Sequence, residues 1–423
     1  MKARYHTFLP DPAARSRSVG AADWRLACIA LHTHDTAMSD RKTFRSCLLS
    51  SQAVTVLGLA AVLAVLMMSV NVMPALAAPC EAPAPVCAWT DRIVGIKTPN
   101  MIASGTILPG GHIVTNHHVA EDHSQVITRD ATGRVGRARP QPHDVAVDLA
   151  LLRPEGAMPE FQGLTRKTDF MPQQLFVVAF DQGRNGPRVY RPGVWARYPS
   201  DNASMRARIH TNARALPGNS GGAVVDAEGN LVGILASGDG KISEIIPAAH
   251  IAAVVARTSE THKSSFSQTG RAIRECADAL YDAGSISRDP PADLVSVIES
   301  RCMATGNKQL LDQAGQSFGR WWMFDRSRLF LQRSLALDPD SPNSLMSMAV
   351  TLHLDRDLAA GLPILKRYLA IDPANAQALR MAVQVAGGLG EREFGMQALE
   401  LMRRHNPAAV PLAESFLEQA FAE

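Results

Sequence analysis

The chain has 423 residues, of which 46% are hydrophobic and 20% charged, a balance that excludes a disordered or collagen-like chain. This length predicts two or three domains. In residues 1–77 the cations exceed the carboxylates by four, so the formal net charge of +3 leaves −1 for the rest of the chain. A near-neutral remainder has no electrostatic footprint for a phosphate backbone, so we exclude nucleic acid as the main partner.

An apolar, uncharged stretch runs from Ala53 to Val70, after three cations and before the small residues 74–78 (PALAA). This order predicts a secretory leader over residues 38–78. We expect translation to begin at Met38, which makes residues 1–37 a misassigned N-terminal extension. Removal of the leader predicts a periplasmic or secreted protein. Retention of residues 53–70 would instead anchor the protein in the membrane, with the rest of the chain outside the cytoplasm.

Export permits disulfide bonds. Four cysteines follow the leader and allow three connectivities, all of which stay open. Pairing of nearest neighbours is the simplest arrangement, and four free thiols are the alternative. No cysteine lies beside a histidine at a metal-ligand spacing, so we predict no metal and no cofactor. The four residues are Cys80, Cys87, Cys276 and Cys302.

Residues 92–250 alternate short apolar runs with turns rich in Gly, Pro, Asn and Asp, which predicts an all-β sandwich or barrel. Three segments of this region carry residues capable of chemistry. Each segment alone has an ordinary explanation as a turn or a packing residue, but their order His, Asp, Ser indicates more. The segments are 115–120 (TNHHVA), 148–152 (DLALL) and 217–225 (PGNSGGAVV).

Together these segments resemble the trypsin-like serine peptidases, specifically the compact bacterial HtrA/Deg type. The resemblance implies an all-β, trypsin-like double β-barrel over residues 79–257 that hydrolyses peptide bonds. Its substrate would be a polypeptide. HtrA proteases usually carry PDZ modules, of which this sequence shows none, and that departure puts their cage-like oligomers and peptide-triggered activation in doubt.

The resemblance places the general base at His118 rather than His117, because the family has the base immediately before the valine. It places the orienting carboxylate at Asp148 rather than Asp144, and the nucleophile at Ser220. A serine hydroxyl needs an adjacent imidazole to accept its proton, and a carboxylate holds that imidazole in the required tautomer.

The glycine-rich turn around the serine implies an oxyanion hole made by the amides of Gly218 and Ser220. The resemblance also implies a substrate pocket, formed by the residues before the nucleophile and by a later strand. Arg214 either lies in this pocket and favours an acidic side chain, or faces water. The implied substrate-binding residues are Arg214, Ala236, Ser237 and Gly238.

Two alternatives to an endopeptidase remain at this point. A catalytically inactive, protease-like scaffold would act through the C-terminal repeats, although all three triad positions are filled. A serine esterase is a minor alternative, since Gly218, Ser220 and Gly222 also fit the nucleophile elbow of α/β-hydrolases. That elbow requires a helix after the serine, whereas residues 223–235 (AVVDAEGNLVGIL) predict two strands and a turn.

The C-terminal third predicts an all-α region. After a polar segment interpreted as a linker (258–270), Pro339, Pro373 and Pro407 recur at a constant interval with similar flanking residues. This interval equals the period of the tetratricopeptide repeat (TPR), which the pattern therefore resembles. We expect helical capping elements over 271–330 and TPR-like repeats over 331–423, with a groove for a protein partner.

Overall fold

The computed structural model describes residues 80–159, 161, 171–183, 185–201 and 203–422. The predicted N-terminal extension (1–37), the leader (38–78) and the anchor stretch (53–70) lie outside these residues. Within the described ranges, no helix is both long and apolar enough to cross a membrane.

Six strands form a closed barrel in the order β1-β2-β3-β6-β5-β4, with every neighbouring pair antiparallel. β-branched residues dominate the buried positions, as expected for strands that pack on a core. The strands are β1 (Ile93–Lys97), β2 (Ile102–Ile107), β3 (Ile113–Thr115), β4 (Val126–Arg129), β5 (Val135–Gln141) and β6 (Ala150–Pro154).

A second sheet has seven strands in the order β8-β7-β11-β12-β13-β10-β9. Buried side chains of both sheets meet in one core, so the two halves pack face to face. The strands are β7 (Phe176–Asp181), β8 (Gly186–Val189), β9 (Ala196–Arg197), β10 (Ile209–Thr211), β11 (Ala223–Val225), β12 (Leu231–Gly238) and β13 (Ser243–Pro247).

Most of the other regular elements in the described residues are α-helices, so the predicted fold class, an all-β domain followed by an all-α region, is confirmed. In the β domain they are α1 (Ala84–Cys87), α2 (His117–Ala120) and α3 (Ala249–Ala256). The all-α region begins with α4 (Lys263–Ala283), α5 (Ala292–Val297), a π-helical turn (Ile298–Cys302), α6 (Met303–Thr305) and α7 (Lys308–Arg320). It continues with α8 (Phe324–Leu337), α9 (Pro342–Leu354), α10 (Leu358–Ile371), α11 (Ala376–Leu389), α12 (Arg392–His405) and α13 (Val410–Ala420).

The helices of residues 324–405 follow the period of the prolines. Helices α8, α10 and α12 begin at Phe324, Leu358 and Arg392, in two equal steps that match the spacing of the prolines. Helices α9 and α11 begin at Pro342 and Ala376, separated by the same step. Their apolar faces pack together in shared clusters, because a single helix pair cannot bury its own face.

The prediction of a linker over 258–270 is wrong, because α4 begins at Lys263. The buried face of α4 includes Phe266, Gly270 and Ile273, which recur at helical spacing along a polar sequence. Gly270 approaches the barrel so closely that a Cβ atom there would lie 2.2 Å from the carbonyl oxygen of Glu121. The segment is therefore a packing element on the barrel.

One disulfide bond joins Cys276 of α4 to Cys302 in the π-helical turn. This bond is one of the two that the simplest arrangement, pairing of nearest neighbours, predicts. Cys80 and Cys87 are each in a disulfide bond as well. The loop that the first bond closes lies inside the all-α region, so this bond stabilises that region by restricting its unfolded state.

Candidate active site

The histidine and the aspartate come from the same end of two neighbouring strands. Strand β3 ends at Thr115, and α2 with its two histidines begins two residues later. Strand β6 begins at Ala150, two residues after Asp148, and pairs with β3 so that Thr115 lies opposite Ala150. The antiparallel register therefore brings the two segments together.

His118 and Asp148 are joined by side chain and backbone. His118 Nδ1 lies 2.8 Å from Asp148 Oδ2, and the His118 main-chain amide donates to Asp148 Oδ1 at 3.0 Å. Asn116 Nδ2 donates to the Asp148 carbonyl at 3.1 Å, which fixes the same segment from the other side. Both oxygens of the carboxylate are thus held, and the ring is oriented through its Nδ1 atom.

The Asp148 carboxylate is ionised at neutral pH. Burial alone would raise the pKa of Asp148, but the charge and hydrogen bonds of His118 and the charge of Arg208 outweigh it and hold this pKa below its usual value. Arg208 Nη2 lies 3.8 Å from Asp148 Oδ2. An ionised carboxylate accepts the proton of Nδ1, so the tautomer leaves Nε2 as the acceptor for a hydroxyl proton.

The neighbouring candidates occupy different environments. The His117 ring stacks on Phe266 of α4 with centroids 4.1 Å apart, and burial lowers the pKa of His117 to about 4. Asp144 is exposed and pairs with Arg257. His117 is therefore a neutral packing residue and Asp144 a surface residue, whereas His118 and Asp148 contact each other.

The turn that carries the serine is fixed by its own hydrogen bonds. The Asn219 amide donates to the Leu216 carbonyl at 3.0 Å, and Asn219 Oδ1 accepts from the Leu216 amide at 2.7 Å. Gly218 has φ +93°, a conformation that residues with side chains rarely adopt. A type II turn requires this conformation at its third residue, which is Gly218 in the turn from Leu216 to Asn219. Asn219 Nδ2 also donates to the Tyr190 hydroxyl at 2.9 Å. The motif thus folds as a rigid turn.

Two amides of this turn differ from their neighbours. The amides of Asn219, Gly221 and Gly222 donate to main-chain carbonyls. Among hydrogen bonds between residues that the structure describes, the amides of Gly218 and Ser220 donate none. Two such amides, close together in a fixed turn, are the donor arrangement that binds an oxyanion.

The serine turn is attached to the barrel beside the histidine segment. The Ser104 amide of β2 donates to the Ser220 carbonyl at 2.8 Å, and Ser104 Oγ donates to the Gly218 carbonyl at 2.9 Å. Thr115 Oγ1 donates to the Ser104 carbonyl at 2.8 Å. Since Thr115 directly precedes Asn116 in the histidine segment, Ser104 links the two segments. Ser220 Oγ itself donates to the Ala236 carbonyl at 3.0 Å.

The implied substrate-binding residues divide into two groups. Ala236, Ser237 and Gly238 lie at the end of β12, next to the serine, and Ser237 Oγ donates to Glu244 Oε2 at 2.8 Å. Arg214 lies in the segment before the turn, and its side chain is exposed. The structure therefore brings the end of β12 to the serine through the Ala236 carbonyl and leaves Arg214 exposed to solvent.

Ser220 is followed by strand β11 and not by a helix, which excludes the esterase elbow.

Sequence reasoning missed three residues of this site. Ser104 and Thr115 connect the serine turn to the histidine segment, and Arg208 contacts the carboxylate. Thr115 was visible only as the first letter of the TNHHVA motif. Ser104 and Arg208 lie outside every motif, so the sequence offered no signal for them.

Residues 103–234 match the family model described as trypsin-like peptidase domain. The serine endoprotease DegS of Salmonella typhimurium is 31% identical over 139 residues, which are 31% of this chain and 38% of DegS. The matched part therefore spans well under half of that relative.

Solved structures similar to this chain are also proteases. The HtrA-type protease AlgW with tripeptide is 27% identical, with 41% of this chain and 61% of AlgW covered and a TM-score of 0.36. The Rv3671c protease from M. tuberculosis in its active form is 17% identical, with 43% and 89% covered and a TM-score of 0.36. The serine endoprotease from Yersinia pestis is 24% identical, with 44% and 67% covered and a TM-score of 0.34.

Part of the chain is thus similar to a trypsin-like peptidase domain and to DegS. His118, Asp148 and Ser220 all lie within residues 103–234, which match the family model.

Proposed function

We propose that this protein is an exported serine endopeptidase that cleaves polypeptides through His118, Asp148 and Ser220. The observation that carries the proposal is the buried contact of His118 Nδ1 with Asp148 Oδ2 at 2.8 Å, beside a serine turn bonded to β2. The match of residues 103–234 to the trypsin-like peptidase domain supports the same reaction class.

In the proposed mechanism, His118 Nε2 accepts the Ser220 proton while Oγ attacks the scissile carbonyl carbon. The hydroxyl first exchanges its bond to the Ala236 carbonyl for one to the imidazole. Asp148 stabilises the imidazolium that forms. The imidazolium then gives its proton to the leaving amine as the peptide C–N bond breaks. Water hydrolyses the acyl-enzyme by the same steps.

The tetrahedral oxyanion would be bound by the amides of Gly218 and Ser220. Both amides lie in one rigid turn, so they need no reorganisation when charge develops on the substrate oxygen. The substrate would extend along the end of β12, where Ala236, Ser237 and Gly238 leave room because their side chains are small.

The sequence outside the peptidase domain supports two further parts of the proposal. A leader over residues 38–78 would export the protein to the periplasm or beyond, and residues 53–70 would serve as a membrane anchor if retained. The regular period of the helices supports TPR-like repeats, whose groove would bind a protein partner or the substrate.

Labelling with a fluorophosphonate probe tests the proposal. The wild-type protein should be labelled covalently and should cleave an unfolded protein substrate. Ser220→Ala should abolish both activities, whereas Ser200→Ala, which changes an exposed serine, should leave them unchanged.

A folded wild-type protein that takes no label would establish the alternative, a catalytically inactive scaffold that acts through its repeats. Label on a different serine would refute the site assignment.

A further inference from the structure

A carboxylate of the all-α region reaches into the β domain next to the proposed active site. Asp338 follows the last residue of α8 and is 3% exposed. Its Oδ2 atom lies 2.9 Å from His210 Nε2 in β10 and accepts from the Arg208 main-chain amide at 3.3 Å. Asp338 Oδ2 therefore contacts both the main chain of Arg208, just before β10, and the side chain of His210 within β10.

The side chain of Arg208 connects this contact to the triad. Its Nη2 atom lies 3.8 Å from Asp148 Oδ2, the oxygen that contacts His118. Arg208 is 3% exposed, and its Nε and Nη1 atoms have no hydrogen-bond partner among the described residues. A buried guanidinium with unsatisfied donors is costly, so the nearby carboxylates are what compensates its charge.

The corresponding aspartate of the next repeat makes only local contacts in the described structure. Asp372 holds the same place in that repeat as Asp338 does in its own, and it also precedes a proline. Its carboxylate accepts from the Ala374 amide at 3.3 Å, from Asn375 Nδ2 at 3.4 Å and from the Tyr368 hydroxyl at 3.4 Å, all within four residues along the chain. The same sequence position thus closes a helix turn in one repeat and contacts the β domain in the other.

We propose that Asp338 is a positioning residue for the Asp148–His118 pair, acting by holding Arg208 against Asp148. The inference rests on the peptidase function proposed above. It gives one residue of the all-α region, Asp338, a positioning role at the proposed active site, in addition to any partner that the groove binds. Arg208 then has two effects: it orients the carboxylate, and its charge opposes formation of the imidazolium on His118.

Several charged or titratable groups face this pair from the elements packed around it. On the histidine side, His117 of α2 faces Asp148. Around Arg208 they are His210 of β10, Glu244 of β13, His250 of α3, Arg206 before β10 and Asp338 after α8. Substitutions of Arg208 alone leave all of these groups in place and so isolate the effect of Arg208.

The first test compares Asp338→Asn with Asp372→Asn in the full chain. Hydrolysis of a fluorogenic peptide should show kcat reduced 10- to 100-fold in the first variant with KM within twofold, because misplacement of catalytic groups acts on the chemical step. Asp372→Asn, which changes the matched aspartate, should leave kcat within twofold. Melting curves check that both variants are folded.

The second test addresses Arg208 directly. Arg208→Met removes a cation that opposes formation of the imidazolium on His118. In the pH profile of kcat/KM, the acid limb should therefore move to higher pH. Arg208→Lys keeps the charge and should hold that limb near its wild-type position. In the Arg208→Met background, adding Asp338→Asn should change kcat by less than twofold, since residues acting in series are not additive.

Wild-type protein without label at Ser220 would overturn the proposed function and this inference together. Labelled, active wild type with Asp338→Asn equal to Asp372→Asn would overturn the inference alone. If Asp338→Asn fails to fold, the pH profile of Arg208→Met tests the inference instead, because this variant leaves the Asp338–His210 contact in place. An unmoved acid limb in that variant would refute the proposal.

Discussion

Residues from two distant segments of the chain fix the polar atoms of Asp148. In the first segment, His118 of α2 donates to the Asp148 carboxylate and Asn116, just before α2, donates to the Asp148 carbonyl. In the second, Arg208, just before β10, lies near the carboxylate. Ser104 then joins the serine turn to Thr115. At the scale of single residues, the geometry of the candidate site therefore rests on neutral donors and one buried cation as well as on the three side chains of the proposed triad.

Gly218→Ala tests the proposed role of the serine turn in binding the oxyanion. The φ of +93° strains any residue with a side chain, and relief of that strain would rotate the turn and misdirect the Gly218 amide. The new Cβ would also displace the end of the flexible Gln182 side chain, whose Nε2 atom lies 2.1 Å from its position. We expect kcat for peptide hydrolysis to fall about 10²–10³-fold, the cost of one lost oxyanion donor.

The matched control for this variant is Gly240→Ala. Gly240 has φ +88°, but a Cβ there has open space around it. The strain is similar and the position lies outside the proposed site, so kcat should stay within twofold. Equal losses in both variants would mean that strain alone, and not the amide, accounts for the effect.

Helix α4 couples the all-α region to the barrel at the scale of elements. Phe266 packs against His117, which directly precedes His118, and Gly270 lets the helix approach Glu121 closely. Arg274 donates to both oxygens of Asp122 from the same helix face, at 2.7 and 2.9 Å. A segment with the composition of a linker thus becomes the helix that supports the histidine segment.

Phe266→Ala should destabilise this junction. Removing a buried phenylalanine leaves a cavity and costs about 3–5 kcal/mol of unfolding free energy. Urea denaturation followed by tryptophan fluorescence measures the change. Leu329→Ala, at a position that is 55% exposed on α8, serves as the control and should cost far less. Equal effects of the two substitutions would contradict the packing role of Phe266.

Buried charges fix how the two regions fit together at the scale of the whole molecule. Lys308 Nζ of α7 donates to Glu244 Oε1 of β13 at 2.7 Å and to Asp312 Oδ2 at 2.8 Å. Glu244 Oε2 accepts from Ser237 of β12, next to the residue that accepts from Ser220. An unpaired charge would be costly here, so this arrangement favours one orientation of the all-α region over others.

The pH dependence of stability tests this charge cluster. Burial would raise the pKa of Glu244, but Lys308 foremost, followed by His210, lowers it to about 2. A depressed folded pKa contributes stability that is complete above the unfolded value near 4.5 and is lost as the pH falls towards 2. As the pH falls from 5 to 2, the unfolding free energy of Glu244→Gln should therefore decrease by up to about 3 kcal/mol less than that of the wild type.

Denaturant unfolding at a series of pH values between 5 and 2 measures that difference. Burial and, in addition, the charge of Glu244 raise the pKa of Asp312, so the Asp312 contribution has the opposite pH dependence and becomes smaller in Glu244→Gln. Glu418→Gln, on the exposed face of α13, should follow the wild-type curve. A Glu244→Gln curve parallel to that of the wild type would contradict the role of the cluster.

The sequence by itself determined the fold class and the residues proposed for chemistry. Strands and their turns are encoded by short runs of neighbours, and the motifs around His118, Asp148 and Ser220 are equally local. The sequence also predicts the helical period for the same reason, since each of Pro339, Pro373 and Pro407 follows the end of a helix by two residues.

Only the tertiary structure decided which polar residues support the site. Arg208 meets Asp338 across 130 residues of sequence, and Glu244 meets Lys308 across 64. Such pairs leave no periodic pattern, because nothing near either residue depends on the other until the chain has folded. The Ser/Thr-rich start of α4 was misread for a related reason: its helical face is defined by the barrel surface that it covers.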